Sequence, residues 1–155
     1  MPRKKKTYKA QPCTDFKYRC LEISKLINVI MKSGKKPKAE NIVYSTLSML
    51  HPRQEKSLEL FLQALENIKP LVEVKSKRVG GANYRIPVEV KHTRRTTLAL
   101  RWIKAAATIR SEKTMSLKLY KELMDALNKK GTAIKYRDEM HKLAEVNKAF
   151  SHFKT

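Results

Sequence analysis

The chain has 155 residues and carries 35 Lys and Arg against 14 Asp and Glu, a formal net charge of +21. That length suits one domain. A hydrophobic content of 41% with only 4 Gly and 6 Pro excludes a disordered polycation, a collagen-like chain and a linker. No run approaches the ~18 consecutive apolar residues of a membrane span. The charges between Met1 and Ala10 are not followed by the apolar stretch of a signal peptide.

The positive charge is uneven. Residues 1–38 hold twelve basic and two acidic residues, and residues 73–113 hold eleven and three. Residues 39–72 between them hold three and four, and residues 114–155 hold nine and five. Two cationic blocks flanking a neutral one predict a surface that meets a polyanion and a scaffold that does not.

In chain order, residues 1–15 lack periodicity and read as a basic, largely extended arm, with one helical domain over 16–155. Ile23, Leu26, Ile27, Ile30 and Met31 repeat at helical spacing, and Gly34 is placed to end that helix. Pro37 suits the first turn of a second helix, whose stripe is Ala39, Ile42, Val43, Leu47 and Leu50 and which stops at His51-Pro52. Ser57 is a candidate N-cap for a third helix, with Leu58, Phe61, Leu62, Leu65 and Ile68 inward and Pro70 closing it.

The period then changes to two. Alternating runs on either side of Gly80-Gly81-Ala82-Asn83 predict a β-hairpin near 72–90, with Tyr84, Ile86, Val88 and Val90 on one face. Pro87 cannot donate to a ladder, so the ribbon belongs to no central sheet. Such a ribbon is marginal alone and must pack on helices or be ordered by a partner. Thr93 or Thr96 can cap a fourth helix carrying Leu98, Trp102, Ala106 and Ile109. Thr114 can cap a fifth, with Leu117, Tyr120, Leu123, Met124 and Leu127, ended by Gly131. Thr132 opens a sixth, with Tyr136, Met140, Leu143, Asn147 and Phe150 on one side. The expected fold is mainly α, a single domain of about six helices with a protruding two-stranded hairpin.

Catalysis finds no support. The four histidines are far apart, and no nucleophile, metalloprotease or P-loop motif is present. Asp138 and Glu139 are adjacent, so on a helix they point about 100° apart and cannot face each other as a dyad. Cys13 and Cys20 lack metal-ligand spacing and read as reduced thiols. No enzyme activity, metal or cofactor is expected.

The hairpin carries Lys75, Lys77 and Arg78 on its outgoing strand and Arg85 on its return, followed by Lys91, Arg94, Arg95 and Arg101. Edge-strand lysines deter aggregation, which accounts for one or two of these cations but not for the cluster. Tyr84 and Arg85 can stack on an unpaired base, and Tyr84 can equally pack beside Ile86. Arg3, Lys4 and Lys5 in the arm, and Lys35 and Lys36 in a loop of four lysines around Gly34, suit phosphates. From the residues alone the chain is an RNA- or DNA-binding helical domain with a basic ribbon. A free-standing architectural nucleic-acid binder is one alternative. A polybasic membrane-surface protein is a weaker one, because no large apolar helix face is left over.

The run Ala64 to Val90, with Lys75-Ser-Lys-Arg-Val-Gly-Gly-Ala-Asn-Tyr-Arg85 at its heart, resembles the hairpin segment of the family of ribosomal protein seven of the small subunit, bacterial type. Glu112-Lys-Thr-Met115, His141-Lys-Leu-Ala-Glu-Val-Asn-Lys-Ala-Phe150 and the opening Met-Pro-Arg-Lys fit as well, in order, over essentially the whole chain. The resemblance implies a structural, rRNA-binding constituent of the small ribosomal subunit. It implies a primary binder of the 3′ major domain that nucleates head assembly and lies near the exit tRNA site. The implied partners are small-subunit rRNA, mRNA and exit-site tRNA at the hairpin, and small-subunit proteins nine and eleven, with no membrane and no homo-oligomer. The location would be the cytoplasmic ribosome of a bacterium or the ribosome of an organelle that encodes the chain. Matching positions are Arg3, Lys4, Lys5, Lys35, Lys36, Lys75, Lys77, Arg78, Tyr84, Arg94, Arg95, Lys142 and Lys148. Arg85 stands where the family usually has Gln, Tyr136 where it has Lys and Met140 where it has Thr, and the tail from Ser151 to Thr155 also departs.

Overall fold

The computed structural model describes residues 13–154, and for Val79, Phe153 and Lys154 the backbone alone. Most of the arm lies outside these residues, including Arg3, Lys4 and Lys5. Six α-helices and one hairpin follow in the order α1 (Leu21–Ile30), α2 (Lys36–Leu50), α3 (Gln54–Ile68), β1 (Val72–Val79), β2 (Ala82–Glu89), α4 (His92–Ile109), α5 (Met115–Leu127) and α6 (Thr132–Val146). A terminal 3-10 turn covers Lys148–Lys154. The fold is the mainly α domain with a two-stranded ribbon that the periodicity predicts.

α5 is the hub, packing against α2, α3, α4 and α6, while α1 closes the other side on α2 and α4. Each helix buries one stripe, so a single core forms from Ile23, Ile27, Val43, Leu47, Phe61, Leu65, Ile68, Leu100, Ile103, Leu119 and Leu123, all at most 1% exposed. A fully buried side chain of this size contributes about 1.5–3 kcal/mol. The neutral block supplies much of this core through α2 and α3. Among the described residues, Asp15, inside the stretch assigned to the arm, is buried. Its carboxylate accepts the backbone N–H groups of Lys17 and Tyr18 and the Tyr44 hydroxyl at 2.6 Å.

The hairpin runs in register from Val72 opposite Glu89 to Val79 opposite Ala82. Gly80 and Gly81 make a two-residue turn with φ of +56° and +86°, left-handed at both positions as a primed hairpin turn requires. Cross-strand partners share a face. Glu73, Lys75 and Lys77 therefore lie beside Val88, Ile86 and Tyr84, and Val74, Ser76 and Arg78 beside Pro87, Arg85 and Asn83. The ribbon is not isolated: α6 packs on both strands and the terminal turn packs on β2.

Several boundaries and faces differ from the sequence reading. α1 stops at Ile30, and Gly34 (φ +72°) serves a turn three residues later instead of capping the helix. α3 starts at Gln54, so Ser57 lies inside it, buried, its hydroxyl donating to the Gln54 carbonyl. α5 ends at Leu127, and Gly131 (φ +99°) is the N-cap of α6. Leu62, Leu117, Met124 and Leu143 are partly exposed, and Ile109 is 70% exposed. The core face of α4 is Thr96, Ala99, Leu100, Ile103, Ala106 and Ala107, with Trp102 half-buried at its flank and neither Thr93 nor Thr96 capping. Alanines allow close helix approach, and their small apolar area makes them easy to overlook beside a Trp. On α6 the buried residues are Ala133, Ile134 and Ala144. Thr114 caps α5 as expected, accepting the Leu117 N–H.

A candidate nucleic-acid interface

The base of the hairpin is pinned by one acidic residue. The Glu73 side chain is 7% exposed and accepts from Arg94 Nε at 2.7 and 3.0 Å, while Lys75 Nζ lies 3.2 Å from the same carboxylate. Burial opposes the Glu73 charge, but the bonds from Arg94 and Lys75 outweigh it and hold the carboxyl below its usual value. Arg95 adds a second tie, donating from Nε to the Val90 carbonyl at 2.9 Å. Arg94 and Arg95 thus fasten the start of α4 to the ribbon. Arg94 remains 52% exposed, so it still presents charge outward.

Beyond this anchor Lys77, Arg78 and Arg85 are exposed on the ribbon, Lys77 on one face and Arg78 and Arg85 on the other. Arg85 borders a groove with Val74, Ser76, Met140 and Leu143. Tyr84 is half-buried, and its ring lies 5.3 Å from that of Phe150 at 49°. Its partner within the chain is therefore the terminal turn, not only the neighbouring Ile86. That contact braces the ribbon against the end of the chain.

A polar stripe continues along α4. Arg94, Thr97, Arg101, Lys104 and Thr108 recur at three- and four-residue spacing, which stacks them on one face. The stripe leads from the hairpin base to the start of α2, where Lys35 and Lys36 are exposed. Lys36 lies 3.7 Å from Glu40, a surface pair that costs it little availability. Lys142 on α6 and Lys148 at the start of the terminal turn are also exposed, on the two elements that back the ribbon.

Two cations escaped the sequence reading. Lys104 donates from Nζ to the Val29 carbonyl at 2.6 Å, and Lys118 reaches the Thr108 carbonyl at 3.4 Å. The spacing from Arg101 to Lys104 on one helix face was the available signal for the first. Lys118 is brought to the same place only by the packing of α5 on α4.

Among the described residues no group of three or more His, Cys, Asp or Glu is arranged to hold a metal, and no helix is long and apolar enough to cross a membrane. The other Arg–Glu constellation is internal. Glu122, fully buried, accepts from Arg110 at 2.7 Å and from the Ala133 N–H at 2.8 Å, and Arg110 also pairs with Asp125. This joins the end of α4, the middle of α5 and the start of α6.

Fold and surface together define a helical protein whose cations line a ribbon, one helix face and one loop. Over residues 2–148 the chain matches the family model described as ribosomal protein S7p/S5e. It is 52% identical over 155 residues to the small ribosomal subunit protein uS7 of Nitrosomonas eutropha, covering 99% of each chain. The same identity and coverage hold for uS7 of Leptothrix cholodnii, and 51% over 156 residues, again 99% of each chain, for uS7 of an Acidovorax species. The chain belongs to the S7p/S5e family of ribosomal proteins. Its role is that of a structural, non-enzymatic ribosomal component, and its bacterial relatives point to a cytoplasmic ribosome.

Proposed function

We propose that the chain is a primary rRNA-binding protein of the small subunit that nucleates assembly of the head on the 3′ major domain. The observation that carries this reading is the spread of exposed cations over successive elements. Lys77 stands on one face of the ribbon and Arg78 and Arg85 on the other, half-exposed Arg94 and then Arg101 and Lys104 follow along α4, and Lys35 and Lys36 stand at the start of α2. Such a spread suits a folded RNA whose phosphates turn around the protein. Lys142 and Lys148 extend it behind the ribbon. Arg3, Lys4 and Lys5 add a further polyanion contact from the arm.

The tip of the ribbon is the part that approaches mRNA and exit-site tRNA, because Lys77 and Arg78 are exposed beside its Gly80-Gly81 turn. The less charged face is the one for protein neighbours, of which small-subunit proteins nine and eleven are the proposed ones. The test is a binding comparison between transcripts of the 3′ major domain and of the 5′ domain at the same salt. Tighter binding to the 3′ major domain is expected. Equal affinity for both would reduce the chain to a general polyanion binder and overturn the reading.

A further inference from the structure

Between the end of α1, the start of α2, the end of α4 and the start of α5 lies an open pocket of about 340 Å³. This falls within the roughly 300–1,000 Å³ of small-ligand sites. Its floor is apolar, formed by Ile30, Met31, Ala39, Ile42 and Met115. Its rim carries five lysines, Lys32, Lys35, Lys38, Lys104 and Lys118, and among the described residues no carboxylate lines it. Two of those ammonium groups are fixed at backbone carbonyls, Lys104 at Val29 and Lys118 at Thr108.

An apolar floor under a ring of cations is an odd pairing for a purely structural hollow. Five like charges around one opening repel one another unless an anion sits among them. The floor asks for something flat and apolar. The two methionines sharpen this, since thioethers make favourable contacts with aromatic rings. One ligand chemistry meets both demands: a nucleotide, with its base on the floor and its phosphates among the lysines.

We infer that this pocket receives a single unstacked nucleotide of the bound rRNA, its base turned out of the helix and laid on Met31, Ile42 and Met115. The inference rests on the rRNA-binding reading above. RNA, more than a free nucleotide, is the occupant because the α4 stripe of Arg94, Arg101 and Lys104 leads to the pocket from the ribbon. A strand following that stripe delivers its backbone to the rim. Turned-out bases in loops and bulges are the usual targets of such recognition.

The test uses the full chain with small-subunit rRNA. Thr108 is exposed at the rim, and T108W fills the opening without removing a cation. About a tenfold loss of affinity is expected, with the salt slope unchanged. Unchanged or tighter binding would overturn the pocket. Ultraviolet cross-linking of the wild-type complex gives a second reading that needs no variant. Mononucleotide adducts on the peptides holding Met31 or Met115 are expected, and adducts confined to the hairpin would overturn the proposal. Titration with adenosine 5′-monophosphate separates the two sources. Displacement of the mononucleotide by rRNA is expected, whereas tight binding that rRNA does not compete would make the pocket a free-nucleotide site and overturn the RNA assignment. If the wild-type chain fails to bind rRNA at all, the reading beneath the pocket falls and takes the pocket with it.

Discussion

Two arginine–glutamate pairs in this molecule use the same chemistry for different ends. Arg110 and Glu122 meet inside the helical body, with the arginine side chain 20% exposed and the glutamate fully enclosed. Arg94 and Glu73 meet at the foot of the hairpin, where the glutamate is nearly as enclosed but the arginine is half exposed. The buried pair can only hold the fold, because every oxygen of Glu122 is engaged by Arg110 or the Ala133 amide. The hairpin pair positions the ribbon and still offers a cation to a partner. Exposure of the arginine, not the presence of the pair, separates scaffold from interface.

The comparison breaks most sharply at the buried pair. E122A removes the enclosed partner of Arg110, which keeps Asp125, and leaves the Ala133 N–H without its acceptor. A destabilisation of about 3 kcal/mol is expected, read as a shift of the denaturant midpoint. A loss under 1 kcal/mol would mean that the node is not structural. G131A comes next. The φ of +99° is strained for alanine, and its Cβ would lie 3.0 Å from both Asp125 Cβ and Glu122 Oε1. About 2 kcal/mol is expected from the same measurement.

E73Q at the hairpin should cost less, about 1 kcal/mol, because Arg94 and Lys75 both remain half solvated. The sign of its pH dependence is fixed. The folded carboxyl sits below its ordinary 4.5, so its contribution is present above that value and is lost as pH falls through the folded one. Wild-type stability should therefore fall more steeply than that of E73Q in acid below about pH 4.5.

The smallest effect concerns His141, whose Nε2 accepts the Leu71 N–H at 3.1 Å where the chain enters β1. Burial, helped by Arg137, pushes its pKa below the ordinary 6.5. Its stabilising contribution is present above pH 6.5 and is lost as pH falls toward the lower folded value. H141Q should flatten a shallow decline in the wild-type melting temperature over that window. An identical decline in both proteins would assign it elsewhere.

What could be read beforehand follows from how local each feature is. The hairpin was legible because two successive glycines are the cheapest way to take left-handed φ twice in a row. The Thr114 cap was legible because its acceptor and donor lie three residues apart. Ser57 misled, since a hydroxyl bonds equally well to a carbonyl inside a helix. The face of α4 is only partly legible: Ala106 is on the expected stripe and buried, but Ala99, Leu100, Ile103 and Ala107 complete the contact, while Trp102 sits at its edge and Ile109 outside it. In the candidate site, the cations on the ribbon and at the start of α4 stood out as a run. Their division into an anchor around Glu73 and an exposed remainder did not, because it depends on the hairpin register meeting α4. The Tyr84–Phe150 contact and the convergence of Lys104 with Lys118 join residues far apart in sequence, and only tertiary packing reveals them.

The most direct measurement is the salt dependence of binding to a 3′ major domain transcript, for the wild-type chain and for K75A/K77A/R78A. Each cation seated on a phosphate contributes about 0.7–0.9 to the slope of log affinity against log salt. The triple variant removes three exposed cations, so it should bind more weakly with a slope shallower by about 2. A slope unchanged from wild type would contradict the placement of rRNA on the ribbon.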